Sequence, residues 1–203
     1  MLKEIRRSTP LADAEDLLQQ ELAEHRDAFE ATADMLRQPF AAALEILEHS
    51  LRGGGKLLLF GNGGSAADAQ HIAAELIIRY KTDRPSISAI ALTTDSSVLT
   101  ACGNDLGFDA LFERQIEGLG RKDDVAIGIS TSGNSANVLR GLGRAKSMGL
   151  KTVGLTGLTG GRMRDVCDAL IAVPSSVTAR IQEMHILVGH MLCKALEQRL
   201  GLV

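Results

Sequence analysis

Three groups of residues in this 203-residue chain have the types and spacing that chemistry requires. The first is Gly61-Asn62-Gly63-Gly64-Ser65, a glycine turn that opens a helical stretch. Strand, glycine turn, helix is the order that aims free backbone N–H groups at an anion. The second is Ser130-Thr131-Ser132-Gly133-Asn134-Ser135. Its four hydroxyls in six residues supply neutral donors, and helix capping would account for only one or two of them. The third group is of acid–base and metal type. His71 and Glu75 stand four residues apart, downstream of the first glycine turn, and share a helix face. Gln182, Glu183, His185 and His190 fall in a C-terminal helical segment. Glu183 and His190 are separated by about 20° around that helix and Gln182 and His190 by about 80°, so spacing alone favours Glu183 as the partner of His190. An i, i+4 His/Glu pair suits a metal site, an acid–base pair or an exposed pair with no role. The position of His71 and Glu75 just after an anion-type loop favours a site. His25 and His49 read as surface residues.

Other ligands fit less well. Gly61-x-Gly63-x-x-Ala66 matches a dinucleotide fingerprint, but that motif needs an acidic residue about 20 positions on. Here Asp95, at the end of the next strand, comes 34 positions after Gly61. The absence of G-K-[ST] from the loops argues against a nucleoside-triphosphate loop. Two hydroxyl-rich loops on neighbouring strand ends suit a phosphorylated, hydroxylated small molecule, and a sugar phosphate meets that description. The net charge of −3, with no long basic run, argues against nucleic acid. Three cysteines with no C-x-x-C pair argue against a disulfide framework or a thiolate zinc site, and read as buried free thiols in a reducing cytosol. Residues 1–18 lack an apolar signal core, and no apolar run has the length of a bilayer span. The expected location is the cytoplasm, away from membranes.

The elements that must position these residues follow from periodicity. Residues 1–10 read as a loose tail and 11–37 as a long helix free of Gly and Pro. A second helix is expected from Pro39 to Leu51, with the face Phe40, Ala43, Leu44, Ile46 and Leu47. Then short apolar runs alternate with helical stretches, at 56–60, 87–92, 125–129, 152–155 and 169–173, and a last helix covers 177–200. Strands that are apolar throughout belong to parallel sheets covered on both faces. The expected class is α/β, a doubly wound five-stranded parallel sheet over 52–203 with an N-terminal helical extension over 1–51. Ligands of such sheets bind beyond the carboxyl ends of the strands. Since the sheet covers both faces with its own helices, the apolar face of 39–51 is expected to pack on another subunit, in a dimer or a tetramer of dimers.

Taken together, Gly61-Asn62-Gly63-Gly64-Ser65, His71-x-x-x-Glu75, Asn104-Asp105, Ser130 to Ser135 and Arg180-Ile181-Gln182-Glu183-x-His185 closely resemble the phosphoheptose isomerases of the sugar isomerase (SIS) domain superfamily. The resemblance runs from about residue 50 to 200 and implies a flavodoxin-like SIS fold. It implies interconversion of sedoheptulose 7-phosphate and D-glycero-D-manno-heptose 7-phosphate, the first step of the ADP- and GDP-heptose routes to surface glycans such as lipopolysaccharide. It further implies that Ser130, Ser132 and Ser135 hold the phosphate, and that Asn62, Gly63, Gly64, Ser65, Asn104, Asp105 and Thr131 line the sugar site. Glu75 and His190 become the acid–base pair. His71, Glu75, Gln182 and His190 become ligands of one zinc per subunit, so the resemblance selects Gln182 where helix spacing favoured Glu183. Homotetramers with sites between subunits are implied as well. The alternative is a non-catalytic SIS module that binds a sugar phosphate or the bacterial replication initiator protein. That branch does not keep the metal and acid–base positions, and the presence of His71, Glu75 and His190 favours the enzyme.

Overall fold

The computed structural model describes residues 11–203, and the expected tail at 1–10 lies outside the described residues. Two helices come first, α1 (Leu11–Met35) and α2 (Arg37–Arg52). The second begins two residues earlier than expected. Pro39 sits in its first turn, where a missing N–H costs no intrahelical bond. The chain continues as β1 (Leu57–Gly61), α3 (Gly64–Ile77), β2 (Ala89–Ala91), α4 (Ser96–Asp105), α5 (Leu111–Leu119), β3 (Val125–Ser130), α6 (Ala136–Ser147), β4 (Lys151–Thr156), β5 (Ala169–Ala172) and α7 (Thr178–Arg199). The five strands form one sheet in the order β2-β1-β3-β4-β5, and every pairing is parallel. This is the doubly wound sheet that the apolar runs imply.

Alternation along each strand sorts the core into two layers. Leu57 and Leu59 of β1, Val125, Ile127 and Ile129 of β3 and Val153 and Leu155 of β4 face α2, α3 and α7. Leu58 and Phe60, with Ala126, face α4, α5 and α6 on the other side. The core is aliphatic, with Phe60 and Phe112 as its aromatic pair, 5.0 Å between centroids and tilted by 36°.

The apolar face of α2 departs from expectation. Ala43, Leu44 and Leu47 are buried against the sheet of their own chain. An amphipathic face records that a helix needs cover, not which surface supplies it. Within the two-helix extension the large apolar side chains left exposed lie instead on α1: Leu17, Leu18, Leu22, Phe29 and Met35. Phe29, Leu36 and Phe40 also line an apolar groove of about 330 Å³ that α1 and α2 share with Leu187 and Met191 of α7. Polar contacts tie α1 to α7. Arg180 donates to the Glu21 carbonyl (2.6 Å) and carboxylate (2.8 Å), and Glu183 pairs with both Arg180 (2.9 Å) and His25 (2.7 Å). His25 is therefore not an idle surface residue. Among the described residues no helix is long and apolar enough to cross a membrane.

Candidate functional site

The serine loop is built where β3 ends and α6 begins. Ser130, the last residue of β3, is buried. Its Oγ lies 2.9 Å from Ser135 Oγ and 3.4 Å from Ser132 Oγ. Ser135 occupies the N-cap position of α6, yet its side chain makes no cap hydrogen bond. Helix capping therefore does not explain Ser135, and the three hydroxyls converge on one another. The turn between them needs Gly133, whose φ is +66°. A Cβ there would meet the Gly160 carbonyl carbon at 2.6 Å and Thr156 Oγ1 at 2.8 Å. Three clustered hydroxyls at a helix N-terminus make a cradle for an anion such as phosphate. Beside it opens a cleft of about 330 Å³, lined by Thr131, Ser132, Asn134, Ser175, Ser176 and Thr178 among others.

The glycine turn lies alongside, because β1 pairs with β3 and Gly61 is in register with Ile129. Gly61 permits the contact, since a Cβ there would lie 2.7 Å from the Ile129 carbonyl oxygen and 2.8 Å from Ser65 Cβ. Asn62 turns to α6 and forms a reciprocal amide pair with Asn137, 2.8 Å in each direction. Asn137 is buried and also caps the N–H of Val138 (2.9 Å). Sequence reasoning did not single out Asn137; its position two residues after Ser135 was the available signal.

The third group assembles on the outer side of α3 and α7. His71 Nε2 lies 2.9 Å from His190 Nε2 and 3.5 Å from Glu75 Oε1. One donor atom from each of His71, Glu75 and His190 falls within 4.8 Å of the other two. Gly189 makes this approach possible. A Cβ at Gly189 would lie 2.6 Å from Ile72 Cδ1, so any larger residue would push α7 from α3 beside the two histidines. The His190 ring also stacks on Tyr80, 5.4 Å between centroids and 28° between planes. Glu75 Oε2 is buried without a hydrogen-bond partner, and so is Asp68 Oδ2 one turn before His71. Burial pushes the Asp68 carboxyl up to about 6, against the opposing pull of His71. Burial also pushes the thiols of Cys167 and Cys193 up to about 12, which leaves them inert.

Two imidazoles and a carboxylate with a spare oxygen suit zinc. Gln182 stands elsewhere in the same chain. It stands eight positions, about 12 Å of helix rise, before His190. Its amide lies against the glycine turn, where a Cβ on Gly64 would meet Gln182 Cδ at 2.7 Å. Glu183, which spacing paired with His190, is committed to Arg180 and His25. Asn104 and Asp105 end α4 in exposed positions, and Asn104 Nδ2 donates to Asp105 Oδ1 (2.7 Å). Among the described residues neither side chain hydrogen-bonds to the loops or to the His71 group.

The family described as SIS domain matches residues 20–157. Phosphoheptose isomerase of Paramagnetospirillum magneticum is 56% identical over 180 residues, which cover 89% of this chain and 94% of that protein. The Nitratiruptor sp. phosphoheptose isomerase is 55% identical, with 89% and 97% covered. Among solved structures, phosphoheptose isomerase from Neisseria gonorrhoeae superposes with a TM-score of 0.86 at 42% identity, covering 91% of this chain and 99% of that one.

Proposed function

The chain belongs to the SIS domain family and, within it, to the phosphoheptose isomerases, and on that premise we propose that it interconverts sedoheptulose 7-phosphate and D-glycero-D-manno-heptose 7-phosphate. The observation that carries the reading is the convergence of His71, Glu75 and His190 from two helices. A binding module has no use for that convergence, so it disfavours the non-catalytic alternative.

The phosphate is held by Ser130, Ser132 and Ser135, and Asn62, Gly63, Gly64, Ser65, Asn104, Asp105 and Thr131 line the sugar. Glu75 takes a proton from C1 of the ketose. The C–H electron pair becomes the C1–C2 double bond, and the carbonyl oxygen on C2 gains a proton from His190. From this enediol, His190 recovers a proton from the C1 hydroxyl, the C1 carbonyl forms, and Glu75 returns a proton to C2. Protons balance over the cycle. His71, Glu75 and His190 would hold zinc, with Gln182 as fourth donor. When bound, zinc supplies Lewis-acid polarisation of the substrate oxygens.

The two halves of this machinery are far apart within one chain. Ser65 and Glu75 are ten positions apart on α3, about 15 Å of rise. The reading is therefore a pocket completed between copies in a cytoplasmic homotetramer, with Gln182 of one copy approaching the His71 group of another. The exposed Leu17, Leu18, Leu22 and Phe29 of α1 support an assembly of this kind. Residues 52–203 are proposed as the sugar-phosphate unit and 1–51 as the helical extension that assembles it.

The test of activity is solvent deuterium exchange at C1 of sedoheptulose 7-phosphate, together with formation of the aldose. Exchange at the uncatalysed rate would overturn the reading. The shared pocket is tested by mixing a chain that lacks the three serine hydroxyls with one that carries Glu75→Gln. Activity recovered on subunit exchange supports it. A monomer of 21.6 kDa in light scattering with full activity would overturn it.

A further inference from the structure

The helices that carry Glu75 and His190 are joined below the site by a buried ion pair with no part in the chemistry above. The Arg84 side chain is fully buried and Glu197 is 3% exposed. Arg84 Nε donates to Glu197 Oε1 (2.9 Å), Nη1 to the carbonyls of Leu76 (2.6 Å) and Pro85 (2.9 Å), and Nη2 to the carbonyl of Glu75 itself (2.8 Å). The carbonyls of Glu75 and Leu76 belong to the last turn of α3, where a helix has no intrahelical donors left. A cation there also complements the helix dipole. Glu197 lies on α7 seven residues after His190, within about 20° of the same stripe. Its Oε1 also accepts the N–H of Tyr80 (3.3 Å), the residue whose ring stacks on His190. One guanidinium thus touches the backbone of Glu75 and, through Glu197 and Tyr80, the support of His190.

We propose that Arg84 and Glu197 are positioning residues that fix the register of α3 against α7 and so the placement of Glu75 relative to His190. The proposal rests on the reading of those two side chains as the acid–base pair. An ion pair wanted for stability alone could be replaced by apolar side chains of similar volume. A clamp could not, because its donors set the height of one helix end against the other. Lysine could not substitute either, because a single ammonium nitrogen cannot span three carbonyls and a carboxylate as the planar fork does.

The test compares R84K and R84M/E197L with the full wild-type chain. The double variant removes the clamp without leaving a lone buried charge. The expected result is a kcat lowered about tenfold to a hundredfold, the scale of a misplacement near 1 Å. KM should stay within about twofold, since the serine cradle sits on β3 and α6, away from the clamp. The second readout needs no turnover and no metal: the ring ¹H–¹⁵N resonances of His71 and His190 in chelator-treated protein should shift in both variants. If R84M/E197L loses native circular dichroism, E197Q supplies the same two readouts. Ring resonances that stay at their wild-type positions overturn the clamp whatever the kinetics show, and so does a wild-type kcat in a folded double variant. A wild-type chain that fails to convert sedoheptulose 7-phosphate would defeat the functional reading, while the ring resonances would still decide the clamp.

Discussion

Two pairs of carboxylates in this chain live under opposite conditions. Asp124 and Asp168 sit at the amino ends of the strands, with no buried oxygen left unmet. Asp124 accepts from the backbone N–H groups of Lys56 (2.9 Å) and Arg121 (2.8 Å) and from Lys56 Nζ (2.5 Å). Asp168 accepts from the N–H and the hydroxyl of Thr152 at 2.8 and 3.0 Å. Asp68 and Glu75, on α3, each bury one oxygen with no partner. Leaving a buried acceptor unmet costs free energy, so these two oxygens lower the stability of the fold unless another species meets them. The first pair joins strands; the second leaves acceptors open beside His71 and His190.

The most severe break in that contrast is expected at the serine cradle. On the proposed reading, replacing Ser130, Ser132 and Ser135 by Ala removes three bonds to a charged phosphate, each worth about 1.5–3 kcal/mol, so kcat/KM should fall at least about a thousandfold. Thermal unfolding should barely change, because these hydroxyls bond chiefly to one another. A triple variant with ordinary KM would reduce the loop to a turn. Next comes Glu75→Gln, which should lower turnover by about 10²–10⁴-fold and abolish C1 exchange in proportion. Its unfolding temperature should hold or rise, since a half-used buried carboxylate is removed; a large drop would place Glu75 with the first pair.

The converse is expected of Asp124→Ala. Breaking a buried, hydrogen-bonded pair should cost about 3–5 kcal/mol in a denaturant titration, with KM unchanged in the folded fraction. The smallest effect concerns His185, whose Nε2 meets the Thr156 carbonyl at 3.1 Å while Nδ1 has no partner. Burial pushes this imidazole down to about 4 from 6.5. The unfolded chain then binds the extra proton between those values. Stability is full above 6.5 and is lost as pH falls through 4, by about 3 kcal/mol at most. His185→Gln should flatten that slope in pH-dependent urea titrations, and an unchanged slope would assign it to other groups.

The strands and the two loops were legible in the sequence because each is a local pattern. An unbroken apolar run means a strand covered on both faces, and clustered hydroxyls after it mean a helix N-terminus with donors to spare. The His71–Glu75 pair was legible for the same reason. Relations between elements were not. Angles around α7 pointed to Glu183 as the partner of His190, but α1 supplies Arg180 and Glu183 with Glu21 and His25. The face of α2 was read as an interface, although β-sheet of the same chain lay ready to cover it. Nothing in the spacing joins Arg84 to Glu197, 113 residues away. A periodic pattern fixes a direction on one element and says little about what stands opposite.

Tyr80 has a consequence for the laboratory bench. The chain has one tyrosine and no tryptophan, and that tyrosine rests on the ring of His190. Excited at wavelengths that phenylalanine does not absorb, the chain therefore emits from this one ring beside His190. A cation or sugar arriving at His190 changes the surroundings of the single emitter, and the intensity change can be titrated directly without a label. The protein comes with its own lamp, and it is mounted at the site.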